Sequence, residues 1–141
     1  MTLNDTTGAI IDHSITIHRA LGPGLLESVY QRILAYELRN AGLTVETEVS
    51  IPVEWDGQII DDSFRADMII NGQVLIELKS AERTLPVHQK QTLTYLKLAN
   101  LNLGLLINFG AVLLKNGIHR IVNELPEKHS IKKSPRLRDS A

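Results

Sequence analysis

Arg65-Ala66-Asp67-Met68-Ile69-Ile70-Asn71-Gly72-Gln73-Val74-Leu75-Ile76-Glu77-Leu78-Lys79 is the stretch whose reading decides the fold. Two apolar runs flank an Asn-Gly pair, a strong short-range signal for a β-hairpin. A two-residue loop would pair Ile70 with Gln73, Met68 with Leu75, Ala66 with Glu77 and Phe64 with Lys79, mixing apolar and charged side chains on one face. A three-residue loop, Asn71-Gly72-Gln73, pairs Ile70 with Val74, Met68 with Ile76 and Ala66 with Leu78, and that face is wholly apolar. A slip of one residue turns every side chain to the opposite face, so burial of one face selects the second register. Gly72 suits the left-handed position that such a loop or a bulge requires.

In that register the other face pairs Ile69 with Leu75, Asp67 with Glu77 and Arg65 with Lys79. Directly opposed residues have Cβ atoms about 5 Å apart. Two carboxylates that close repel each other unless a cation or a proton lies between them. Lys79, two residues beyond Glu77, projects from the same face. Two readings stand at this point. Asp67, Glu77 and Lys79 form a polar site whose local dielectric is lowered by Ile69 and Leu75, or they form a solvent face on which Asp67 and Glu77 are salt-bridged to Lys79 and Arg65.

Upstream, Leu43 to Trp55 alternates apolar and polar residues as a half-buried strand does, with Pro52 arguing for an edge or a bulge. Asp56-Gly57 is a hairpin signal, and a second strand is expected over Ile59 to Ile70, ahead of a third over Val74 to Lys79. Before the strands, capping residues at Asn4 to Thr7 lead into a helix ending near Leu21, where Gly22-Pro23-Gly24 breaks it. A second helix is expected from Leu25 to Ala41, stopped by Gly42. Downstream, Pro86 behind Thr84 starts a helix to Ala99. Leu103 to Phe109 is a short, nearly continuous apolar run that suits a fully buried strand. Ala111–Lys115 and Ile118–Val122 flank Asn116-Gly117 and read as a last hairpin. The order is α-α-β-β-β-α-β-β, and one α/β domain with helices on a mixed sheet fits it.

Size and composition bound the rest. The 141 residues suit one core, and apolar residues make up 43% of them. There is no cysteine, which excludes disulfides, thiolate catalysis and cysteine-ligated zinc or iron–sulfur centres. No apolar run reaches the ~18 residues of a membrane span, and Met1 to Asp12 lacks the pattern of a secretory signal, so a cytoplasmic location with no membrane partner is expected. The net charge of −1 lacks the basic excess of proteins that grip long duplexes. The expected division is an N-terminal arm over 1–7, a domain over 8–125 and a basic flexible tail over 126–141 that carries Lys128, Lys132, Lys133, Arg136 and Arg138.

Asp67 followed by Glu77-Leu78-Lys79 resembles the PD-(D/E)XK nuclease signature, with Ala66 where the superfamily has proline. Further motifs resemble the bacterial GxxExxY proteins within that superfamily. They are Gly24-Leu25-Leu26-Glu27-Ser28-Val29-Tyr30 with Leu21-Gly22-Pro23 before it, Arg65-Ala66-Asp67, Pro86-Val87-His88-Gln89-Lys90-Gln91 with Tyr95-Leu96, and Gly104-Leu105-Leu106-Ile107-Asn108-Phe109. The likeness covers residues 8–122. It implies a restriction-endonuclease-like mixed sheet flanked by helices and a metal-dependent nuclease acting on nucleic acid, DNA ahead of RNA.

The resemblance also implies roles. Asp67 and Glu77 would bind Mg²⁺ or Mn²⁺ with the backbone carbonyl of Leu78, since hard oxygen donors suit these ions. Glu27 takes the place of an acid contributed by a helix ahead of the sheet. Lys79 would orient the attacking water or stabilise developing charge. Gln91 matches a supporting glutamine on the helix after the acid-x-Lys strand. His88, Gln91 and Tyr95 share a helix face at i, i+3 and i+7. His88, Tyr95, Arg65 and Tyr30 are the candidate substrate contacts, with packing the competing role for Tyr30 and helix capping for His88. His13, His18, His119 and His129 lack metal-like spacing. A homodimer would let so small a domain span a duplex. Two other classes stay open: a nucleic-acid-binding or assembly module with a vestigial nuclease fold, and a metal hydrolase or phosphotransferase with another substrate. The second lacks a phosphate loop, a serine elbow or H-E-x-x-H.

Overall fold

A computed structural model describes residues 1–124; Leu125 and the expected basic tail over 126–141 lie outside the described residues. The first helix, α1 (Leu3–Leu21), starts earlier than the capping run at Asn4–Thr7 suggested. Thr2 and Asp5 form a reciprocal cap: the Asp5 N–H donates to Thr2 Oγ1 at 3.1 Å and the Thr2 N–H to Asp5 Oδ2 at 3.0 Å. Most of the expected arm is therefore the first turns of the helix, and Thr6 and Thr7 are buried. The second helix, α2 (Glu27–Asn40), follows the Gly22-Pro23-Gly24 break.

Seven strands follow: β1 (Val45–Ser50), β2 (Val53–Trp55), β3 (Gln58–Asp61), β4 (Arg65–Ile70) and β5 (Val74–Lys79), then α3 (Pro86–Ala99), β6 (Leu103–Asn108) and β7 (Ile118–Val122). The main sheet has five strands in the order β1-β4-β5-β6-β7. β5 and β6 run parallel and the other neighbours antiparallel, so α3 is the crossover that parallel pairing demands. Taken alone, this sheet with its helices has the expected order α-α-β-β-β-α-β-β. The chain is an α/β fold of restriction-endonuclease-like type.

Two corrections concern strand boundaries. The long strands expected over Leu43–Trp55 and Ile59–Ile70 are each divided. Pro52 has no N–H to give a ladder, and the chain leaves the main sheet after Ile51, whose N–H donates to Phe64 O at 2.9 Å. The segment between forms a separate two-stranded ribbon, β2-β3, turned at Asp56-Gly57, both with positive φ. Trp55, Ile59 and Ile60 stand exposed on it. The last hairpin is also not formed. Ile118–Val122 pairs instead with β6, from Ile107↔Ile118 to Leu103↔Val122, and Leu114–Asn116 is a single 3-10 turn. Gly117 lies so close to the sheet that a Cβ would meet Asn108 O at 2.5 Å, and its carbonyl accepts the Asn108 N–H at 2.8 Å.

The core has two layers. On one face Ile10, Ile17, Tyr30, Leu34 and Leu38 of α1 and α2 pack on Val45, Met68, Ile70, Val74, Ile76, Leu78, Leu105 and Ile107. On the other, Leu96 of α3 packs with Ile51, Ala66 and Leu75. The three-residue register is observed, with Ile70↔Val74, Ile69↔Leu75 and Met68↔Ile76. Asn71 and Gly72 both have positive φ in that loop. Among the described residues no helix is long and apolar enough to cross a membrane.

Candidate active site

The ladder between β4 and β5 stops at Met68↔Ile76. Beyond it, carboxylates take the place of backbone partners. The Asp67 N–H donates to Glu77 Oε2 at 2.9 Å, and the Leu78 N–H donates to Asp67 Oδ2 at 2.7 Å. Each acid thus satisfies an amide of the strand opposite, and the two strands separate around them. The inside-outside alternation also breaks here. Ala66 packs with Leu75 and Leu96 on the α3 side, whereas Met68 and Leu78 belong to the α1/α2 side. The expected wholly apolar face therefore ends at Met68. The neighbouring strand changes sides in step: Val45 lies in the α1/α2 layer and Val49 in the α3 layer, with Glu48 between them at φ +51.

Burial sets the charge of the pair. Removal from water raises the Asp67 carboxyl from 3.8 to about 6; the Leu78 N–H opposes this, the Glu48 and Glu27 charges add to it, and Lys79 lowers it. Burial and then the neighbouring Asp67 charge raise Glu77 from 4.5 to about 8, against the Asp67 N–H and Lys79. The pair therefore holds close to one proton at neutral pH. Among the described residues no salt bridge reaches either acid. Lys79 lies near enough to be felt electrostatically without closing an ion pair. Arg65 is turned elsewhere, its Nη1 donating to Asp62 O at 2.7 Å and Phe64 O at 3.0 Å. The salt-bridged solvent face is not what forms.

The stretch from Gly24 to Tyr30 carries Glu27 toward this pair. Tyr30 is fully buried and stacked on Phe109, with ring centroids 4.3 Å apart at 9°. Its hydroxyl donates to Gly22 O and accepts the Leu25 N–H at 3.2 Å. Ser80 Oγ, one residue past Lys79, donates to Leu25 O at 2.6 Å. The turn ahead of α2 is thereby fastened to the end of β5, and Glu27, the first residue of α2, adds its charge to the field at Asp67. This corrects the place of Tyr30 among candidate substrate contacts: with no exposed surface it cannot touch a substrate, and it holds the turn instead.

On α3, Tyr95 is half-buried and faces Phe64 at 6.1 Å between centroids. Burial raises its hydroxyl, and the Glu77 and Asp67 charges add to the shift, so it borders the site. His88 caps α3, its Nδ1 accepting the Leu85 N–H at 3.1 Å. Gln91 is exposed. Among the described residues no hydrogen bond joins His88 or Gln91 to the two acids. His13 meets Glu37 at 3.6 Å and His18 Nε2 meets Ala111 O at 2.8 Å, both as structural contacts.

Two residues were not singled out by sequence. Glu48 reads as one more exposed position in an alternating strand, yet its charge raises both acids. Asn108 is buried at the end of β6, its Oδ1 accepting the Ala81 and Gly110 N–H groups at 3.0 Å each and its Nδ2 donating to Thr84 Oγ1 at 3.2 Å. It shapes the loop between Lys79 and α3. A polar residue inside the apolar run Leu103–Phe109 was the available signal.

Hard oxygen donors suit a divalent cation: Asp67 and Glu77 are half-buried carboxyls whose removal from water favours the protonated form, and the Glu27 and Glu48 charges add to the field at Asp67. Asp67 Oδ1 and Glu77 Oε1 accept no hydrogen bond among the described residues. Among the same residues no three His, Cys, Asp or Glu side chains stand together so as to hold a metal ion, and one oxygen of each acid accepts an amide N–H.

The helices and mixed five-stranded sheet, with an acid-x-Lys strand beside Asp67, are of the restriction-endonuclease-like class. The chain matches the description of the PD-(D/E)XK nuclease superfamily over residues 4–121, and it belongs to that superfamily. A similar fold occurs in the crystal structure of SSO0001, with a TM-score of 0.50 and 23% identity over 79% of this chain. The match spans 61% of that protein's length. A search of curated proteins finds no significant match.

Proposed function

We propose that this chain is a divalent-metal-dependent nuclease that hydrolyses phosphodiester bonds, of DNA ahead of RNA. The observation that carries the reading is the interlock of Asp67 and Glu77 where the two strands part, with Lys79 two residues on. Asp67 and Glu77 are the residues that would hold Mg²⁺ or Mn²⁺, with the Leu78 carbonyl and Glu27, directly or through water. When bound, such an ion lowers the pKa of a coordinated water and offsets charge on the scissile phosphate. The protein's own groups do the rest. Lys79 orients the attacking water or stabilises charge developing on the phosphate. Tyr95 edges the site, and Gln91 on the same helix would reach the substrate or its water. Arg65 and His88 would contact the flanking phosphates.

The specific placement with the GxxExxY proteins is supported by Tyr30, whose hydroxyl gives that motif a physical purpose: it secures the turn that sets Glu27. The test is cleavage of labelled single- and double-stranded DNA and RNA with Mn²⁺, alongside Lys79→Ala. Cleavage by the wild type that falls about a hundredfold or more in Lys79→Ala supports the reading. Equal cleavage by both proteins points to contamination. Binding without cleavage favours a module that has kept the fold and lost the reaction.

A further inference from the structure

The β2-β3 ribbon holds large apolar side chains in water. Every residue from Glu54 to Phe64 is exposed, Trp55 (64%), Ile59, Ile60 and Phe64 among them. A two-stranded ribbon by itself is marginally stable in water. Apolar side chains on it contribute little until another surface covers them, and a contiguous patch of this kind marks a site of interaction.

Charge decides what can cover it. Residues 53–64 carry Glu54, Asp56, Asp61 and Asp62 and no lysine or arginine. The phosphates of a nucleic acid would be repelled, so the matching surface is apolar with cations at its edge. The chain itself presents one. A groove of about 400 Å³ lies between the end of α1 and the loop leading into β7, lined by Ile15, Arg19, Pro23, Val112, Leu113 and Lys115. Val112 is 87% exposed and Leu113 is exposed beside it. Among the described residues no Asp or Glu lines this groove, and no salt bridge reaches Arg19, Lys115 or the four ribbon acids. The two surfaces are thus both apolar, opposite in charge and unpaired.

Their places in the fold allow a closed pairing. The ribbon joins β1 to β4, the loop carrying Val112 and Leu113 joins β6 to β7, and both leave the sheet at the end where Ser50↔Arg65 and Lys79↔Asn108 lie. In the order β1-β4-β5-β6-β7 they fall on opposite flanks of that end. A two-fold axis passing between them, across the strands, exchanges ribbon and groove, so the contact closes with two copies instead of running on into a filament. We propose that the ribbon of one copy docks in the Val112–Leu113 groove of a second copy, and the reverse, as a symmetric dimer. Each contact is then made twice. Each must bury only about 600–1,000 Å², half of the roughly 1,200–2,000 Å² of a stable interface. A ribbon bearing two isoleucines and a tryptophan, which alone can bury about 150–250 Å², is of that scale. The pairing stands whether or not the acid pair holds a cation.

Trp55 is the single tryptophan of the chain, so its fluorescence reports docking directly. The test is sedimentation velocity of the full chain over a wide range of concentration, with emission spectra of the same samples. The mass should double, and the Trp55 emission should move to shorter wavelength over the same range. Arg19→Glu with Lys115→Glu should raise the dissociation constant about tenfold or more, because like charges then face each other. Adding Glu54→Lys and Asp62→Lys to that chain should restore the dimer, a rescue that a merely misfolded variant does not give. A chain that stays monomeric with Trp55 already shielded assigns the ribbon to a segment of the same chain; one that stays monomeric with Trp55 in water assigns it to a different protein. Either result overturns the proposal, as does a dimer that survives the reversal of Arg19 and Lys115 unchanged.

Discussion

Asp67 gives its backbone N–H to the Glu77 side chain at 2.9 Å, a bond from main chain to carboxylate where an antiparallel ladder would run main chain to main chain. The return bond, from the Leu78 N–H to Asp67, makes the arrangement reciprocal. Two acids are thus fixed side by side, and among the described residues no salt bridge reaches either of them. The sheet forgoes regular pairing at its centre and gains a place where negative charge is concentrated and partly dry.

That concentration has a signature in stability. Both folded carboxyls lie above their ordinary values of 3.8 and 4.5, at about 6 and about 8. The folded state binds more protons than the unfolded state across that window, so unfolding stability falls as pH rises through it and levels off above about pH 8. Urea unfolding of the cation-free protein should lose on the order of a few kcal/mol between pH 4.5 and pH 8. Glu77→Gln should flatten most of that slope. An unchanged slope in the variant would place the titrating group elsewhere.

Tyr30→Phe keeps the stack on Phe109 and removes the hydroxyl that joins Gly22 O and the Leu25 N–H. The expected loss is about 1–3 kcal/mol of stability, from the Gly22 carbonyl and Leu25 amide left without their partner. Nuclease activity should fall by more than the folded fraction does, since Glu27 loses its anchored turn. Chemical denaturation and a cleavage assay on the same preparations separate the two effects.

Gly110→Ala tests the loop after Lys79. A Cβ at Gly110 would lie 2.2 Å from Ala81 O, a backbone atom that must move to admit it. Overpacking of this kind costs about 1–3 kcal/mol. The displaced segment begins two residues past Lys79, so metal-dependent cleavage should drop while far-UV circular dichroism stays native. A variant with wild-type stability would show that the contact relaxes freely.

Much of this architecture was legible because local signals agreed with each other. The Asn71-Gly72 turn, the apolar parity of Met68, Ile70, Val74 and Ile76, and Pro86 at the start of α3 each stated a boundary that the structure keeps. What escaped reading lies where backbone geometry overrides periodicity. Nothing in the identity of Glu48 announces a positive φ, and the change of side between Met68 and Ala66 falls where the ladder ends and the two acids take the amides. Ile118–Val122 went to β6 because an unpaired sheet edge outweighs a local Asn-Gly turn. The capping role of Thr2 was hidden by the capping-type residues that follow it. The acid-x-Lys site was legible as a spacing; the interlock that charges it was not.

Proton release on cation binding tests the central claim most directly. If Asp67 and Glu77 share about one proton at pH 7 and together hold the ion, Mn²⁺ binding must expel that proton. Calorimetric titration in buffers of different ionisation enthalpy should show release of about one proton at pH 7, lost in Glu77→Gln. Binding of Mn²⁺ with no proton released, or with the same release in Glu77→Gln, would contradict the account.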